Sequence, residues 1–504
     1  MTSSTNRPVT SPDPLLPGNA VPLARRCFLG RSAQGIGGLA LATMLGEQLN
    51  ATAAEPAVQV TKWPGALKTL HFPAKTKRVI FLCMAGGASH LETWDHKPKR
   101  AEMNGKPMPE SYTKGQPIAQ LQGKKLTCLA PQHEFKKYGK SGQSFSSIFP
   151  HLGTVADEMC IIRSMKTEAI NHDPAHTFMN TGTTISGRPS MGAWLTYGLG
   201  AETDNLPGFV VLTSVGGGQN QPIASRQWHS GFLPSRFQGV HFHSKGDPVL
   251  YVKNPDGVTR GRQRDVITAI QKLNQLRNNL VEDREISTRI SQYELAFRMQ
   301  MSVPQVMDVT KEPKHIQESY GTTPGQASFA NNCLLARRLV EQGGRYVQLF
   351  DWGWDMHGTA KSNDLVTAMP KKCREVDRPI AALLSDLKQR GLLDETLVIW
   401  SGEFGRTSLN EERNGSKFLG RDHHPHCFSM WMAGGGVRGG VTHGETDELG
   451  YFVARDKVGV HDLQATVLHL LGFDPHRLSF RYQGLNQRLI GPEGDGHVIQ
   501  PVVA

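Results

Sequence analysis

The sequence predicts an α/β fold, a doubly wound and mostly parallel sheet with helices on both faces and an inserted cap region. Two observations predict it. Short, continuous apolar runs, which mark strands buried on both faces, alternate with helical patterns. Clusters of Asp, Glu and His follow those runs repeatedly, where an open α/β sheet places its ligands.

Taken in order, "RVIFLCMA" (78–85) reads as the first buried strand. "MCIIRSM" (159–165), "GFVVLTS" (208–214), "RYVQLFDW" (345–352) and "TLVIWSG" (396–402) follow, with "FSMWMAG" (428–434) a weaker sixth. "FANNCLLARRLVEQGG" (329–344) reads as a helix ending on a glycine pair suited to a C-cap. "REVDRPIAALLSDLKQRG" (374–391) sets Val376, Ile380, Leu383, Leu384 and Leu387 on one stripe. "DLQATVLHLLG" (462–472) is a further helix. Residues 215–330 interrupt the rhythm and read as an insertion or cap. Within them, roughly 262–300 reads as one long polar helix with a solvated face. "AGGGVRGG" (433–440) follows a strand without opening a helix, so it reads as a flexible loop near the site.

Residues 1–54 carry the layout of a twin-arginine export signal. Arg25 and Arg26 precede a weakly apolar stretch, 35–45, and "ATAA" (51–54) offers small residues for cleavage. The expectation is a signal peptide followed by a single domain, 55–504, in the periplasm or outside the cell. No later apolar run is long enough to span a bilayer.

The 504 residues, 38% hydrophobic and 20% charged, suit a globular protein with a large core, and 53 Gly with 30 Pro predict long loops. Beyond the signal, 52 basic residues stand against 43 acidic ones, a net charge of +9. That balance favours an anionic polysaccharide or a small ester as partner. The basic residues are scattered, which argues against nucleic acid. Six cysteines follow Cys27 without a C-x-x-C pair, so a thiolate zinc site is not expected, whereas one or two disulfides would suit an exported chain.

The polar clusters are specific. Ser89, His90, Glu92 and Asp95 follow the first strand, and His172, Asp173 and His176 follow the second. Asp351, Asp355 and His357 lie in "DWGWDMHG", with Glu403 and Arg406 in "GEFGRTS". "GRDHHPHCFS" (420–429) adds Asp422, His423, His424 and His426. Carboxylate and imidazole donors suit Zn²⁺ or Mn²⁺, and oxygen-rich subsets suit Mg²⁺ or Ca²⁺. One or two such ions are expected; a pair about 3.5–4 Å apart would clamp a phosphoryl or sulfuryl oxygen. The chain has no G-x-S-x-G elbow, no phosphate-binding G-x-x-x-x-G-K-[ST] and no H-E-x-x-H.

Eight segments carry a family resemblance: "FLCMAGGASHLETWDHKP", "NHDPAHTFMNTGTTISGRPSMGAWLTYGLG", "LPGFVVL", "YELAFRMQMSVP", "WDMHG", "TLVIWSGEFGRT", "GRDHHP" and "AGGGVRGGVTHGETDELGY". Together they resemble the exported bacterial family called domain of unknown function 1501, over about 78–475. That family is similar in fold to the alkaline phosphatase and sulfatase superfamily. "TLVIWSGEFG" resembles the superfamily's "TLVIVTADHG", with Glu403 in the place of a metal-binding Asp and Phe404 in the place of a His. "HDLQATVLHLLGFD" resembles its "DIAPTLLDLAGI" helix. "HDPAHTFMNTG" keeps Pro174, Thr181 and Gly182 of the sulfatase C-x-P-S-R-x-x-x-L-T-G frame, but His172 stands where the nucleophilic Cys would be and His176 where the Arg would be. Gly86 and Gly87 replace the acids that usually end the first strand.

The resemblance implies a metal-dependent hydrolase of phosphate or sulfate esters without the usual nucleophile. Asp355, His357, Glu403, Asp422 and His423 would bind metal, with His424 a second choice. His172 or His176 would be nucleophile or base, and Arg406 would neutralise an oxyanion. The alternative is a non-catalytic exported glycan-binding or accessory protein that keeps the cleft, with an exported haem protein as partner by family context. His426, His241, His243, His443, Trp352, Trp354 and Phe404 read as structural.

Overall fold

Continuous apolar sequence becomes a strand covered on both faces at Arg78–Met84 (β1), where every residue after Arg78 is buried. In the computed structural model, which describes residues 65–504 except 215–218, 250–253, 255, 256, 282, 283, 413, 414, 492 and 493, β1 pairs in parallel with Tyr346–Asp351 (β5) and Thr396–Ser401 (β6). Ile80 sits opposite Val347 on one side and Val398 on the other. Beyond β5 come Phe209–Ser214 (β3) and Val240–Phe242 (β4), also parallel. Beyond β6 lies Phe428–Ala433 (β9), antiparallel, and then Met159–Lys166 (β2). Val441–His443 (β10) and Val458–Gly459 (β11) pair in parallel with β2. The sheet order is therefore β10-β2-β9-β6-β1-β5-β3-β4. The expected export segment, 1–54, lies outside the described residues; these belong to the unit Val60–Ala504.

The strand period of two splits β1 between two cores. Ile80, Leu82 and Met84 join the cluster of Phe329–Glu341 (α6) and Ala368–Gln389 (α7). There the expected stripe, Val376, Ile380, Leu383, Leu384 and Leu387, is fully buried. Ser328 starts α6 by accepting a hydrogen bond from Asn331 N at 3.1 Å. Val79, Phe81 and Cys83 face the other way, onto Met191–Leu199 (α3) and Val460–Leu470 (α8). Helices thus cover both faces, as the sequence predicts.

Three expectations change. The single long helix is two, Arg260–Val281 (α4) and Arg284–Met307 (α5), side by side with Arg264 Nη1 2.9 Å from Glu294 Oε1. A chain that folds back can bury apolar residues of its second arm, and Met299, Val303 and Val306 join the sheet's core. The wider stretch expected as an insertion, 215–330, also supplies β4 to the sheet edge. The glycine-rich loop 433–440 is not near the polar clusters. Because β9 runs antiparallel, its end reaches the opposite edge, where Gly435 N donates to Leu393 O at 2.9 Å. The six cysteines of the described chain are free, buried thiols rather than disulfides.

Candidate metal centre

Parallel strands β1, β5 and β6 end at one edge, and each is followed by a loop that brings in polar side chains. After β5 come Asp355 and His357; after β6 come Glu403 and Arg406. Gly405–Arg406 (β7) pairs antiparallel with His423–His424 (β8), which sets His423 opposite Arg406. His172–Thr181 (α2) begins with His172 and carries His176 one turn on, the same helix face.

Donor atoms of His172, Asp355, His357 and His423 all lie within 4.8 Å of one another. His357 Nε2 is 2.8 Å and His423 Nε2 is 3.4 Å from Asp355 Oδ1. His172 Nε2 is 3.3 Å from Asp355 Oδ2. The outer nitrogens have other partners. His357 Nδ1 pairs with Glu411 Oε2 at 2.5 Å, and His423 Nδ1 with the Ile170 carbonyl at 2.9 Å. A carboxylate and a carbonyl each accept an N–H, so both rings turn an Nε2 lone pair inward, as metal-bound imidazoles do.

A second group shares His172. Its Nδ1 lies 2.5 Å from Glu403 Oε1, and His176 Nε2 is 3.4 Å from the same oxygen. Glu403 is anchored from behind by backbone: Gly86 N reaches Oε1 at 3.2 Å and Gly87 N donates to Oε2 at 3.1 Å. This explains the glycine pair. A Cβ on Gly86, at φ +122°, would lie 2.5 Å from Asp355 N, and one on Gly87 would lie 2.5 Å from the Phe404 ring. The amide groups of the glycine pair thus hold an acid from the loop after the neighbouring strand β6.

The electrostatics follow from burial and partners. Burial opposes charge on Asp355, but Arg406 and the three histidines overcome it and hold the carboxyl far below its ordinary range. Burial likewise opposes charge on Glu403, yet His176 and His172 bring it down to about 2. Burial also works against a charged His172, but Asp355 and Glu403 raise it to about 9. Burial lowers His423 to about 4 and also lowers His176. Several donors lack an aligned hydrogen bond: His172 Nε2, Asp355 Oδ2 and both nitrogens of His176. Buried polar atoms without partners fit a bound cation, so the residues present fit a divalent metal.

The remaining candidates have other places. Asp422 comes within reach of His357 and Glu411 as a third donor group. Its carboxylate also accepts from Gln120 N at 2.6 Å, Leu121 N at 3.0 Å and His423 N at 2.9 Å. Arg406 gives its donors to Gly87 O (2.8 Å), Arg421 O (2.9 Å), Gly86 O and Asp355. His424 points to Tyr451 O, 2.5 Å away, outside these groups. His90 faces Gly450 O, Glu92 pairs with Arg421, and Asp95 pairs with Lys97. Phe404 is buried against the rings of His172 and His423. Glu411 is the member that sequence reasoning missed. It stands among other polar residues in "LNEERNG" with no motif around it, and meets His357 across a separation of 54 residues.

Among known proteins, the family model described as "Protein of unknown function (DUF1501)" matches residues 76–503. No curated protein matches the chain. Several solved structures are similar at low identity. The lipoteichoic acid synthase LtaP from Listeria monocytogenes is 11% identical, covering 84% of this chain and 77% of that one at a TM-score of 0.32. The phosphonate monoester hydrolase SpPMH from Silicibacter pomeroyi is 11% identical over 84% and 76%, at 0.35. The PsFucS1 sulfatase from Pseudoalteromonas sp. is 13% identical over 79% and 68%, at 0.32. No helix among the described residues is long and apolar enough to cross a membrane.

Proposed function

The chain belongs to that family, protein of unknown function DUF1501, and on the geometry of its site we propose a metal-dependent hydrolase of phosphate or sulfate esters, sulfatase-like in its core. The observation that carries this reading is the inward-facing donor set of His172, Asp355, His357 and His423, with outer nitrogens of two rings held by Glu411 and Ile170. A divalent ion held there would supply Lewis acidity toward an ester oxygen. The chain's own residues supply the rest. Arg406 balances the charge of Asp355 and fixes its Oδ1. Glu403 holds the His172 ring from the opposite side.

His172 has the most exposed side chain of the set, 13% against 1% for Asp355 and 6% for His357 and His423. A substrate ester therefore approaches past His172. We assign His172 to metal binding rather than attack, because both its nitrogens face carboxylates. Water is then the attacking group. Arg406 acts through Asp355, since four of its five N–H donors are already engaged.

That engagement of Arg406, and the burial of the donors, favours a second reading: a non-catalytic exported protein that binds glycan or a partner. Metal analysis and turnover of aryl phosphate and aryl sulfate separate the two. Metal-stimulated release of phenol supports the hydrolase. Bound metal without turnover, and a glycan that raises the melting temperature uncleaved, supports the binding protein. Export is tested by fractionating cells that express R25K/R26K, which retains the chain in the cytoplasm if the twin-arginine route is used.

A further inference from the structure

We infer that the centre takes two divalent transition-metal ions bridged by the imidazole of His172, one ion on each ring nitrogen. The inference rests on the metal-binding reading above and adds the number, ligands and spacing of the ions. The His172 ring stands between two separate donor sets. Its Nε2 faces Asp355 Oδ2 at 3.3 Å, on the side of His357 and His423. Its Nδ1 faces Glu403 Oε1 at 2.5 Å, on the side of His176.

A simpler arrangement has one ion beside Asp355, with Glu403 merely accepting the His172 Nδ1–H as an orienting carboxylate. His176 argues against it. This ring is fully buried, neither of its nitrogens has a hydrogen-bond partner, and its Nε2 lies 3.4 Å from the same Glu403 oxygen. An orienting carboxylate needs no second imidazole, whereas a buried, unpartnered one is costly unless something binds it. Backbone amides hold both oxygens of Glu403, Gly87 N on Oε2 at 3.1 Å and Gly86 N reaching Oε1 at 3.2 Å, and it is Oε1 that also turns to both histidines.

The donor types narrow the metal. Three imidazoles with one carboxylate, and two with one, suit zinc, cobalt or copper rather than magnesium or calcium. With metal–nitrogen bonds of about 2 Å at each end of the ring, the ions stand roughly 6 Å apart. Ions that clamp one substrate oxygen between them are nearer, about 3.5–4 Å. A ring that gives both lone pairs to metal keeps no nitrogen-bound proton, so loading releases those protons to solvent.

The test loads metal-free chain with Cu²⁺, removes excess by gel filtration, and combines elemental counting with electron paramagnetic resonance. The expected result is two ions per chain, with a resonance well below that of two isolated Cu²⁺ ions because spins couple through the ring. E403Q and D355N should each lower the count to one, and the remaining ion should regain a full isolated signal. One ion per chain, or two with full uncoupled signals, overturns the inference in wild-type protein whether or not the variants fold. Turnover is read separately. Two coupled ions without ester hydrolysis would overturn the hydrolase reading alone, and one ion with hydrolysis would overturn the bridge alone.

Discussion

Arg406 Nη2 lies 2.5 Å from Asp355 Oδ1, and each side chain is only 1% exposed. Such a pair gains little net stability, but removing one partner strands the other charge in a dry site. R406M should therefore destabilise metal-free protein by about 3–5 kcal/mol. The R406M/D355N double variant should lose clearly less than the two single losses added together, because the amide that replaces the carboxylate carries no charge to strand. Urea denaturation of the four chains gives the comparison, and additive losses would contradict the pairing.

Gly86 sits at φ +122° where a Cβ would meet Asp355 N at 2.5 Å and Trp354 C at 2.8 Å, both backbone atoms that cannot turn aside. Gly115 also has a positive φ, +76°, but opens on free space. Gly115→Ala should cost only the conformational strain, about 1 kcal/mol. Gly86→Ala should cost more than that and should weaken metal binding, since the shift moves the Asp355 loop. Denaturation midpoints and metal titration of both variants check the contrast.

These two positions show what the sequence displays. Strands β1, β2, β3, β5 and β6 are legible because burial on both faces leaves continuous apolar runs. The direction of β9 is not, since pairing sense depends on partners far away, and so sequence reasoning puts the glycine-rich loop after it at the wrong edge. Candidate ligands are legible as residue types placed just after strands. Their partners are not: the amides of Gly86 and Gly87 leave no side-chain signal, and Glu411 differs in nothing local from Glu412 beside it.

Glu92 links pH to stability. Burial opposes its charge, but Arg421 at 2.8 Å and Arg100 at 3.7 Å overcome this and lower its pKa from 4.5 to about 2. A depressed carboxyl stabilises the fold fully above the unfolded value and loses that contribution as pH falls toward the folded one. The stability difference between wild type and E92Q should therefore be constant at neutral pH and shrink between about pH 4.5 and pH 2. Denaturation curves across that range test it; a difference that stays constant would exclude the ion pair as its source.

Glu411 fixes the ring of His357. It accepts from His357 Nδ1 at 2.5 Å and is itself fully buried, so the ring has one inward-facing nitrogen and little freedom to turn. Carboxylates in this position raise the basicity of the imidazole and fix its tautomer, and losing one commonly weakens metal binding by about 10–100-fold. E411A should show that loss in a competition titration with a chelating dye. E411Q keeps an oxygen that can accept the same N–H and should bind metal more tightly than E411A, though less tightly than wild type. His423 serves as the internal comparison, because its Nδ1 is held by the Ile170 carbonyl, which side-chain substitution does not remove. Equal metal affinity in wild type and E411A would mean that His357 is not a ligand, and the donor set would shrink to His172, Asp355 and His423.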